Sequence, residues 1–400
     1  MRSSVFCAFM LSTLHVAASY ALDMSKPVRD VVAGNNEFAC ALYAELAKEP
    51  GNLFFSPYSI STALAMTYAG AREETERQMA RALRFDVDQA RLHAALGTIT
   101  DELNQSVANR ILIANSLWPQ ADHPFLESYV SLVREHYGVD VTPVDYKRET
   151  EAARLKINDW VSKRTEELIR DLIAPGILDP MTRLVIVNAI YFKGLWEIPF
   201  ETNATREADF HVTPEKAVKA QLMSRVGEFD YAEFPGVQLV ELPYKDERLS
   251  MLVILPESAK AMEGVEHMLS RKQLDLWIDM LSRERVRVSL PRFKLEWGAR
   301  SLNKALAGLG MTDAFDEAKA RFTGIDGDAS ELYISAVLHK AFVEVNEEGT
   351  EAAAATAVVM AARGLAPKER HILVDRPFLI LIRDRATGSL LFMGRVEDPS

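Results

Sequence analysis

The sequence has almost no cysteine, since its 400 residues contain only Cys7 and Cys40. Two cysteines exclude the disulfide framework that holds small secreted domains together, so the fold must depend on an apolar core. Cys40 stands between the apolar neighbours Phe38 and Leu42 in a stretch with helical periodicity. We therefore predict that it is a small buried hydrophobic residue, the alternative being a reactive or intermolecular thiol.

The sequence also lacks the motifs that enzymes of this size usually carry. It contains no Gly-x-Ser-x-Gly, no His-Glu-x-x-His, no Gly-rich phosphate loop and no cysteine pair for zinc. Its eight histidines are scattered, with none at the spacing of a metal site. We predict that the protein is not an enzyme and needs no metal or cofactor. The alternative class is a secreted α/β enzyme.

Long apolar segments and a surplus of positive charge are missing as well. The formal net charge is −11, which makes nucleic acids and anionic membranes poor partners. A short apolar run at 5–16 follows Arg2 and precedes Ser19-Tyr20-Ala21, which predicts a secretory signal at 1–21. The alternative is a buried N-terminal helix. Residues 22–400 show no linker or repeat, and we predict one domain in a monomeric, extracellular protein.

Two triplets of the type Asn-x-Ser/Thr fit a secreted protein. They are Asn104-Gln105-Ser106 and Asn203-Ala204-Thr205. We predict that Asn104 and Asn203 are acceptors for N-linked glycans.

What the sequence does contain is a series of helical and strand patterns. Apolar periodicity predicts helices at 28–48, 73–83, 90–103 and 150–171. Apolar and β-branched runs predict strands at 184–192, 248–256, 284–297 and 337–345. The run at 184–192 is apolar on both faces, as is typical of a central buried strand.

An uncommon stretch follows the strand at 337–345. Two acidic residues and Gly349 lead into Thr350 and a run of small residues that ends at Arg363. By propensity alone, four consecutive alanines predict a capped surface helix, but that helix would have no large apolar stripe to bury. Every second residue from Thr350 to Val358 is small or β-branched and uncharged. This period of two favours a strand that can enter an existing sheet without burying a charge.

The stretch resembles the hinge and reactive-centre loop of the serpins, and four other motifs show the same resemblance. They are Asn-Leu-Phe-Phe-Ser-Pro-Tyr-Ser-Ile at 52–60, the strand at 184–192 with Lys-Gly-Leu-Trp-Glu at 193–197, Gly-Met-Thr-Asp-Ala-Phe at 310–315, and Val-Asp-Arg-Pro-Phe-Leu-Ile at 374–380. The resemblance covers about residues 28–396. It implies an α+β serpin fold of three β-sheets and about eight to nine helices, with an exposed reactive-centre loop at about 347–370.

The resemblance also implies roles for individual residues. In the family the bait residue lies fourteen positions after the hinge glycine, so Gly349 points to Arg363, with Gly364 on the leaving side. A bond after Met360 is the alternative that would suit a chymotrypsin-like protease. The implied hinge consists of Glu347, Glu348, Gly349, Thr350, Glu351, Ala352, Ala353 and Ala354. The implied residues under the opening sheet are Ser56, Ser59, Asn188 and His339, with Trp196 where the loop first inserts.

The function that the resemblance implies is suicide-substrate inhibition. An arginine bait suits trypsin-like serine proteases of the thrombin, factor Xa, trypsin or plasmin class, because their specificity pocket pairs a carboxylate with the guanidinium. The loop is most similar to antithrombin-type members, which suggests a role in haemostasis. The alternative is a non-inhibitory serpin that acts as a carrier or storage protein.

Heparin binding through the helix at 90–103 is not expected. In heparin-binding serpins this helix carries a basic face, whereas here Asp86, Asp88, Asp101 and Glu102 outnumber Arg91. A basic stripe elsewhere in the chain is predicted to be a solvated face, with a glycosaminoglycan contact as the alternative. It consists of Arg283, Arg285, Arg287, Arg292 and Lys294.

Overall fold

The computed structural model describes residues 24–104, 109–139, 141–327, 332–349 and 369–400. The predicted signal at 1–21 lies outside these residues. The described helices are α1 (Lys26–Leu46), α2 (Pro57–Tyr68), α3 (Glu73–Leu83), α4 (Gln89–Asn104), α5 (Glu127–Tyr137), α6 (Tyr146–Arg164), α7 (Met262–Met268), α8 (Arg271–Asp279), α9 (Asn303–Gly308) and α10 (Thr323–Asp326). The described strands are β1 (Leu53–Phe55), β2 (Asn109–Pro119), β3 (Leu184–Gly194), β4 (Arg206–Thr213), β5 (Lys216–Phe234), β6 (Val237–Pro243), β7 (Leu249–Pro256), β8 (Ser282–Pro291), β9 (Phe293–Ser301), β10 (Ala336–Val345), β11 (Arg370–Leu373), β12 (Phe378–Asp384) and β13 (Leu390–Val396).

The larger sheet has nine strands among the described residues. Their order is β1-β13-β12-β7-β6-β5-β8-β11, and β4 pairs with the first part of β5. The 19-residue strand β5 joins two smaller groups of strands, because it pairs with β4 and β8 along most of its length and with β6 at its end. The predicted α+β class is confirmed. The three expected sheets correspond here to two continuous ones, and the described residues form ten α-helices.

The smaller sheet contains β3 at its centre. Its order is β2-β3-β10-β9. Helix α6 covers one face with Ala153, Ile157 and Val161, which cluster with Val185 and Val187 of β3. The other face of β3 belongs to the main core, together with residues of α1 and α2. Burial on both faces explains why β3 is an apolar run rather than an alternating one.

Helix α2 lies entirely inside the protein, and all of its residues are buried. It begins at Pro57, because Ser56 is the N-cap and accepts a hydrogen bond from the Ser59 amide at 3.1 Å. Pro57 follows in the first turn, where the lack of an N–H costs nothing. This start places Ser56 and Ser59 directly beneath the smaller sheet.

Two predicted elements have different bounds in the structure. The helix predicted at 150–171 is α6, Tyr146–Arg164, which begins earlier because the Asp145 side chain accepts from the Arg148 amide. It ends before Glu166 and Glu167, whose φ angles of 51° and 64° do not fit a right-handed helix.

The single strand predicted at 284–297 is wrong. It is two strands, β8 and β9, which belong to different sheets and are separated at Arg292. Pro291 ends β8, since it has no N–H for a further ladder bond. Arg292 then donates its backbone amide to Gln221 at 2.8 Å and begins the crossing to the smaller sheet.

Cys40 is buried in α1 and is 7% exposed. Desolvation, with a smaller contribution from the Asp275 carboxylate, raises the pKa of its thiol to about 12. At neutral pH the side chain is therefore a neutral thiol packed in the core, as predicted from its neighbours. Of the helices in the described part of the chain, none combines the length and apolar character that crossing a bilayer would require.

Candidate functional site

The smaller sheet has one pair of parallel strands, β3 and β10, between two antiparallel pairs. The parallel register runs from Ala336 opposite Val185 to Phe342 opposite Tyr191. Beyond Phe342, β10 continues to Val345 paired with β9 alone, and β3 continues to Gly194 paired with β2 alone. Within the described residues, the two central strands therefore separate into a fork at this end.

The predicted hinge closes the fork. Backbone amides of the segment after β3 hold it, since Trp196 N–H donates to the Glu348 carbonyl at 2.9 Å and Phe200 N–H donates to the Glu347 carbonyl at 2.7 Å. Gly349 forms an isolated antiparallel bridge with Leu195. These contacts place the first residues of the predicted loop segment directly over the opening between β3 and β10.

Gly349 is required by the geometry of this closure. Its φ of +144° is a backbone conformation that side-chain-bearing residues rarely adopt. A Cβ atom on Gly349 would lie 2.2 Å from the Gly194 carbonyl oxygen and 2.6 Å from Leu195 Cα. The close approach of the two backbones therefore excludes every other residue type unless the hinge moves.

Glu347 anchors the hinge electrostatically. Its carboxylate is 7% exposed and accepts hydrogen bonds from Arg292, at 2.9 Å from Nε, and from the Thr205 hydroxyl. Burial by itself would raise the pKa of Glu347, but the hydrogen bonds from Arg292 and Thr205 outweigh it and hold the pKa below its ordinary value. The carboxylate is thus charged at neutral pH and paired.

Trp196 lies at the fork, beside the predicted hinge. It is 3% exposed, stacks on Tyr244 with ring centroids 4.5 Å apart, and meets Phe200 edge-on. Its indole N–H donates to the Asn346 carbonyl at 3.0 Å. The ring therefore gives the hinge an apolar base and one further hydrogen bond.

The predicted polar residues Ser56, Ser59, Asn188 and His339 come together under the centre of the sheet, and all four have no exposed surface. His339 and Asn188 are opposite each other in the β10–β3 register, and their side chains are hydrogen-bonded through Nδ1 and Oδ1. The Ser56 amide donates to His339 Nε2 at 3.2 Å, so Nε2 is the acceptor and the proton is on Nδ1.

A fifth member of this cluster, Asn115, is not found by sequence reasoning. Its Oδ1 accepts from Ser59 Oγ at 3.3 Å and from Asn188 Nδ2. Asn115 is opposite Asn188 in the β2–β3 register. The signal in the sequence is one polar residue at a buried position of β2. Only the register of β2 on β3 shows that this residue faces Asn188.

Burial keeps His339 neutral. Desolvation lowers the pKa of His339 to about 3, although the hydrogen bond with Asn188 acts in the opposite direction. A neutral imidazole can donate to Asn188 and accept from Ser56 at once, so the cluster holds no net charge. The hydrogen bond between His339 and Asn188 therefore links β10 to β3 at the centre of the sheet.

The predicted basic stripe is paired with acidic groups. Arg287 contacts Glu369 at 2.9 Å, Arg285 lies 3.9 Å from the same carboxylate, and Arg283 lies 3.9 Å from Asp230. Lys294 faces Glu344 at 3.7 Å. Arg292 is paired as well, with the buried Glu347 carboxylate of the hinge.

Several predicted site residues lie outside the described part of the chain. They are Thr350, Glu351, Ala352, Ala353, Ala354, Arg363 and Gly364. Both predicted glycan acceptors are described and exposed: Asn104 is the last residue of α4, and Asn203 lies in a 3₁₀ turn, Thr202–Ala204. The described residues contain no group of three or more His, Cys, Asp or Glu side chains arranged to hold a metal ion.

The family model described as Serpin (serine protease inhibitor) matches residues 33–399. A leukocyte elastase inhibitor of Sus scrofa is 40% identical over 378 residues, which cover 92% of this chain and 99% of that protein. Antithrombin-III of Mus musculus is 38% identical over 386 residues, 94% of this chain and 83% of that protein. Among solved structures, human thyroxine-binding globulin has a TM-score of 0.85 at 28% identity, covering 94% of this chain and 100% of that one.

Proposed function

Because the chain belongs to the serpin family, the serine protease inhibitors, we propose that it is a secreted suicide-substrate inhibitor of trypsin-like serine proteases. The protease would attack the bond between Arg363 and Gly364. One observation carries the proposed mechanism: β3 and β10 are parallel neighbours that fork where the hinge begins. The choice of bond rests on the sequence, and so does secretion, through the signal at 1–21.

The fork is arranged to accept one more strand. Strand β10 ends at Val345, and the hinge turns the chain at the fork, so residues after Gly349 could run back antiparallel to β10. They would also be antiparallel to β3, because β3 and β10 run in the same direction. Insertion would replace a parallel pair, the weaker kind, by two antiparallel ones.

The length of chain is sufficient for this insertion. Residues 350–363 could extend over roughly 46 Å at about 3.3 Å per residue, twice the roughly 23 Å covered by the seven paired residues of β10. In the intact chain, however, residues 350–368 connect the hinge to β11, which pairs with β8 in the larger sheet. Cutting this connection would free the segment from β11 and let it insert to full depth.

Cleavage of the Arg363–Gly364 bond by the protease would free the segment from β11. The catalytic serine would form an ester with the Arg363 carbonyl carbon while the bond to the Gly364 nitrogen breaks. The freed segment would then enter between β3 and β10 and carry the ester-linked protease along the sheet. The complex is trapped if insertion is faster than hydrolysis of the ester. The new hydrogen bonds and the burial of one face of the strand would drive the insertion.

The preference for trypsin-like enzymes rests on Arg363 and not on the relatives. One relative is named as an inhibitor of elastase and another as antithrombin, so the names differ in the protease. A guanidinium at the bait position pairs with the carboxylate at the base of a trypsin-like specificity pocket. Thrombin, factor Xa, trypsin and plasmin are all of this class.

A carrier function is the second candidate. It is favoured by the similarity to a solved structure of thyroxine-binding globulin, a protein whose name describes ligand binding. A carrier would have its loop cleaved by a protease without retaining the enzyme. The two candidates therefore differ in one observable, the covalent complex.

The test is incubation of the secreted protein with trypsin, thrombin and elastase in parallel, followed by denaturing electrophoresis and mass spectrometry. We expect a denaturant-stable band at the summed mass with trypsin or thrombin, and a released peptide that begins at Gly364. An Arg363→Ala variant is the matched control and should lose the band with trypsin. Cleavage after Arg363 without the band would support the carrier, and a band formed only with elastase would contradict the proposed specificity.

A further inference from the structure

The turn that anchors the hinge is also a predicted glycosylation site. Phe200 N–H and the Thr205 hydroxyl both donate to Glu347, and the 3₁₀ turn Thr202–Ala204 lies between them in sequence. Asn203 is exposed in that turn, whereas Thr205 is only partly exposed. The hydroxyl that completes the Asn-x-Thr triplet is therefore the one that holds the hinge carboxylate after folding.

A polar depression, which we call the hinge pocket, lies beside this turn. Its volume is about 450 Å³, within the range of sites that hold small molecules. It is lined by Thr202, Arg292, Phe293, Lys294, residues 344–348 and Pro399. Because Thr202 is part of the lining, a group attached to Asn203 would begin one residue from the pocket.

Glu348 lines the hinge pocket and has an unsatisfied carboxylate oxygen. Among the described residues, its Oε2 is buried and has no hydrogen-bond partner. A buried carboxylate oxygen without a donor is costly, so turning the Glu348 carboxylate toward a sugar hydroxyl in the pocket would be favourable. The Arg292 and Lys294 side chains in the same lining are donors for the sugar's acceptor oxygens.

We propose that Asn203 carries an N-linked glycan whose first N-acetylglucosamine lies in the hinge pocket and holds the hinge closed. The inference rests on the proposed secretion. In the modification, a bond forms between Asn203 Nδ2 and C1 of N-acetylglucosamine, and the bond from C1 to the phosphate oxygen of a lipid-diphosphate-linked oligosaccharide breaks. The lipid diphosphate leaves with the electron pair, and the amide proton passes to a base.

In this arrangement the glycan would restrict the motion of the hinge in addition to increasing solubility. The first sugar would have to leave Glu348 before residues 347–349 could move. One additional hydrogen bond at the hinge predicts that amide hydrogen exchange of residues 346–349 is about fivefold slower in the glycosylated protein. The other predicted acceptor, Asn104, ends α4 and is not part of the hinge pocket lining, so its glycan should leave this exchange unchanged.

The test uses the full chain secreted from glycosylating eukaryotic cells. Mass spectrometry of the peptide that contains Asn203 measures occupancy, and hydrogen exchange measures protection of residues 346–349. Asn203→Gln removes the glycan alone, Thr205→Ser keeps both glycan and hydroxyl, and Thr205→Ala loses both. Asn104→Gln is the control. On the folded wild-type protein, an endoglycosidase that leaves one N-acetylglucosamine should preserve most of the protection, and an amidase that removes the whole glycan should abolish it.

Each outcome decides the inference. An unmodified Asn203, equal exchange in wild type and Asn203→Gln, or loss of protection after trimming to one sugar would each overturn it. The protease complex is measured on the same proteins. If Asn203→Gln still traps trypsin while hinge protection fails to depend on the glycan, only the inference is wrong. If protection depends on the glycan and no variant traps a protease, only the proposed function is wrong.

Discussion

Strand β10 has a different kind of neighbour on each edge. Along β9 the pairing is antiparallel and extends from Leu338 to Val345. Along β3 the pairing is parallel and stops at Phe342. Parallel pairing is slightly weaker per residue, and here it is also shorter at the hinge end. On the proposed mechanism, the β3 edge is therefore the one that opens and the β9 edge the one that is retained.

The side chains at the two edges differ in the same sense. Across the β3 edge, His339 and Asn188 are joined by a hydrogen bond, and Ser59 and Asn115 extend the polar contacts. Both edges also carry apolar pairs, since Ala341 is opposite Ile190 across the β3 edge and opposite Trp297 across the β9 edge. The difference is the buried polar cluster across the β3 edge, which we call the polar seam. Its hydrogen bonds can be exchanged for those of an entering strand, so on the proposed mechanism the polar seam marks the place where the sheet separates.

The largest effect should come from placing a charge on the strand that would enter the β3 edge. Thr350→Arg would require a guanidinium to be buried between β3 and β10, so the fraction of protease trapped should fall by more than about tenfold. Glu351→Arg is the matched control, because the period of two places residue 351 on the opposite face. Both are measured as denaturant-stable complex with trypsin. A stable complex with Thr350→Arg would show that the hinge is assigned incorrectly.

The second largest effect should come from removing the hydrogen bond between His339 and Asn188 across the β3 edge. His339→Ala removes the hydrogen-bond partner of Asn188 Oδ1 and of the Ser56 amide, and it creates a cavity at a fully buried position. The free energy of unfolding should fall by about 3 kcal/mol. Urea denaturation measures it, with His267→Ala on the exposed side of α7 as the control. A loss equal to that of the control would mean that the polar seam does not hold the sheet closed.

The same histidine predicts how acid acts on the β3 edge. The pKa of His339 is about 3 in the folded protein and about 6.5 in an unfolded chain. The contribution to stability is therefore complete above pH 6.5 and is lost as the pH falls towards 3, because the unfolded chain takes up the proton first. Between pH 6.5 and pH 5 the loss should be about 2 kcal/mol.

Thermal and urea denaturation across this pH range test the acid prediction. A His339→Gln variant should show a shallower fall in stability than the wild type. His93, whose pKa is lowered to about 4 by desolvation, contributes a loss of the same sign but is present in both proteins. If the two pH profiles were parallel, His339 would not be the group whose protonation weakens the seam.

The motifs around the β3 edge could be predicted from the sequence for a physical reason. Ser56 and Pro57 mark the start of a buried helix, and β3 is apolar on both faces. Gly349 precedes a segment in which every second residue is small or β-branched. Each is a local pattern, and local patterns determine elements and caps. The resemblance to the serpins added their spatial relation, which places His339 opposite Asn188.

What could not be predicted depends on contacts between residues far apart in sequence. Arg292 was interpreted as part of a basic stripe, because its partner Glu347 lies 55 positions away. Asn115 requires the register of β2 on β3, and a shift of one residue would turn its side chain to the other face. The end of α6 at Arg164 follows from backbone angles at Glu166 and Glu167 that no helix propensity indicates.

The smallest effect should come from the ion pair between Arg292 and Glu347 at the fork, because solvent screens its charges. Arg292→Ala leaves the buried Glu347 carboxylate with the Thr205 hydroxyl and without its ion pair. Since the Arg292 side chain is 42% exposed, the loss should be about 1 kcal/mol, seen as faster amide hydrogen exchange at residues 346–349. Lys294→Ala, two residues further along the chain, is the control, because its exposed pair with Glu344 at 3.7 Å should contribute less than about 0.5 kcal/mol. Equal exchange in the two variants would mean that backbone contacts alone close the fork, and the hinge would then open without any contribution from its charges.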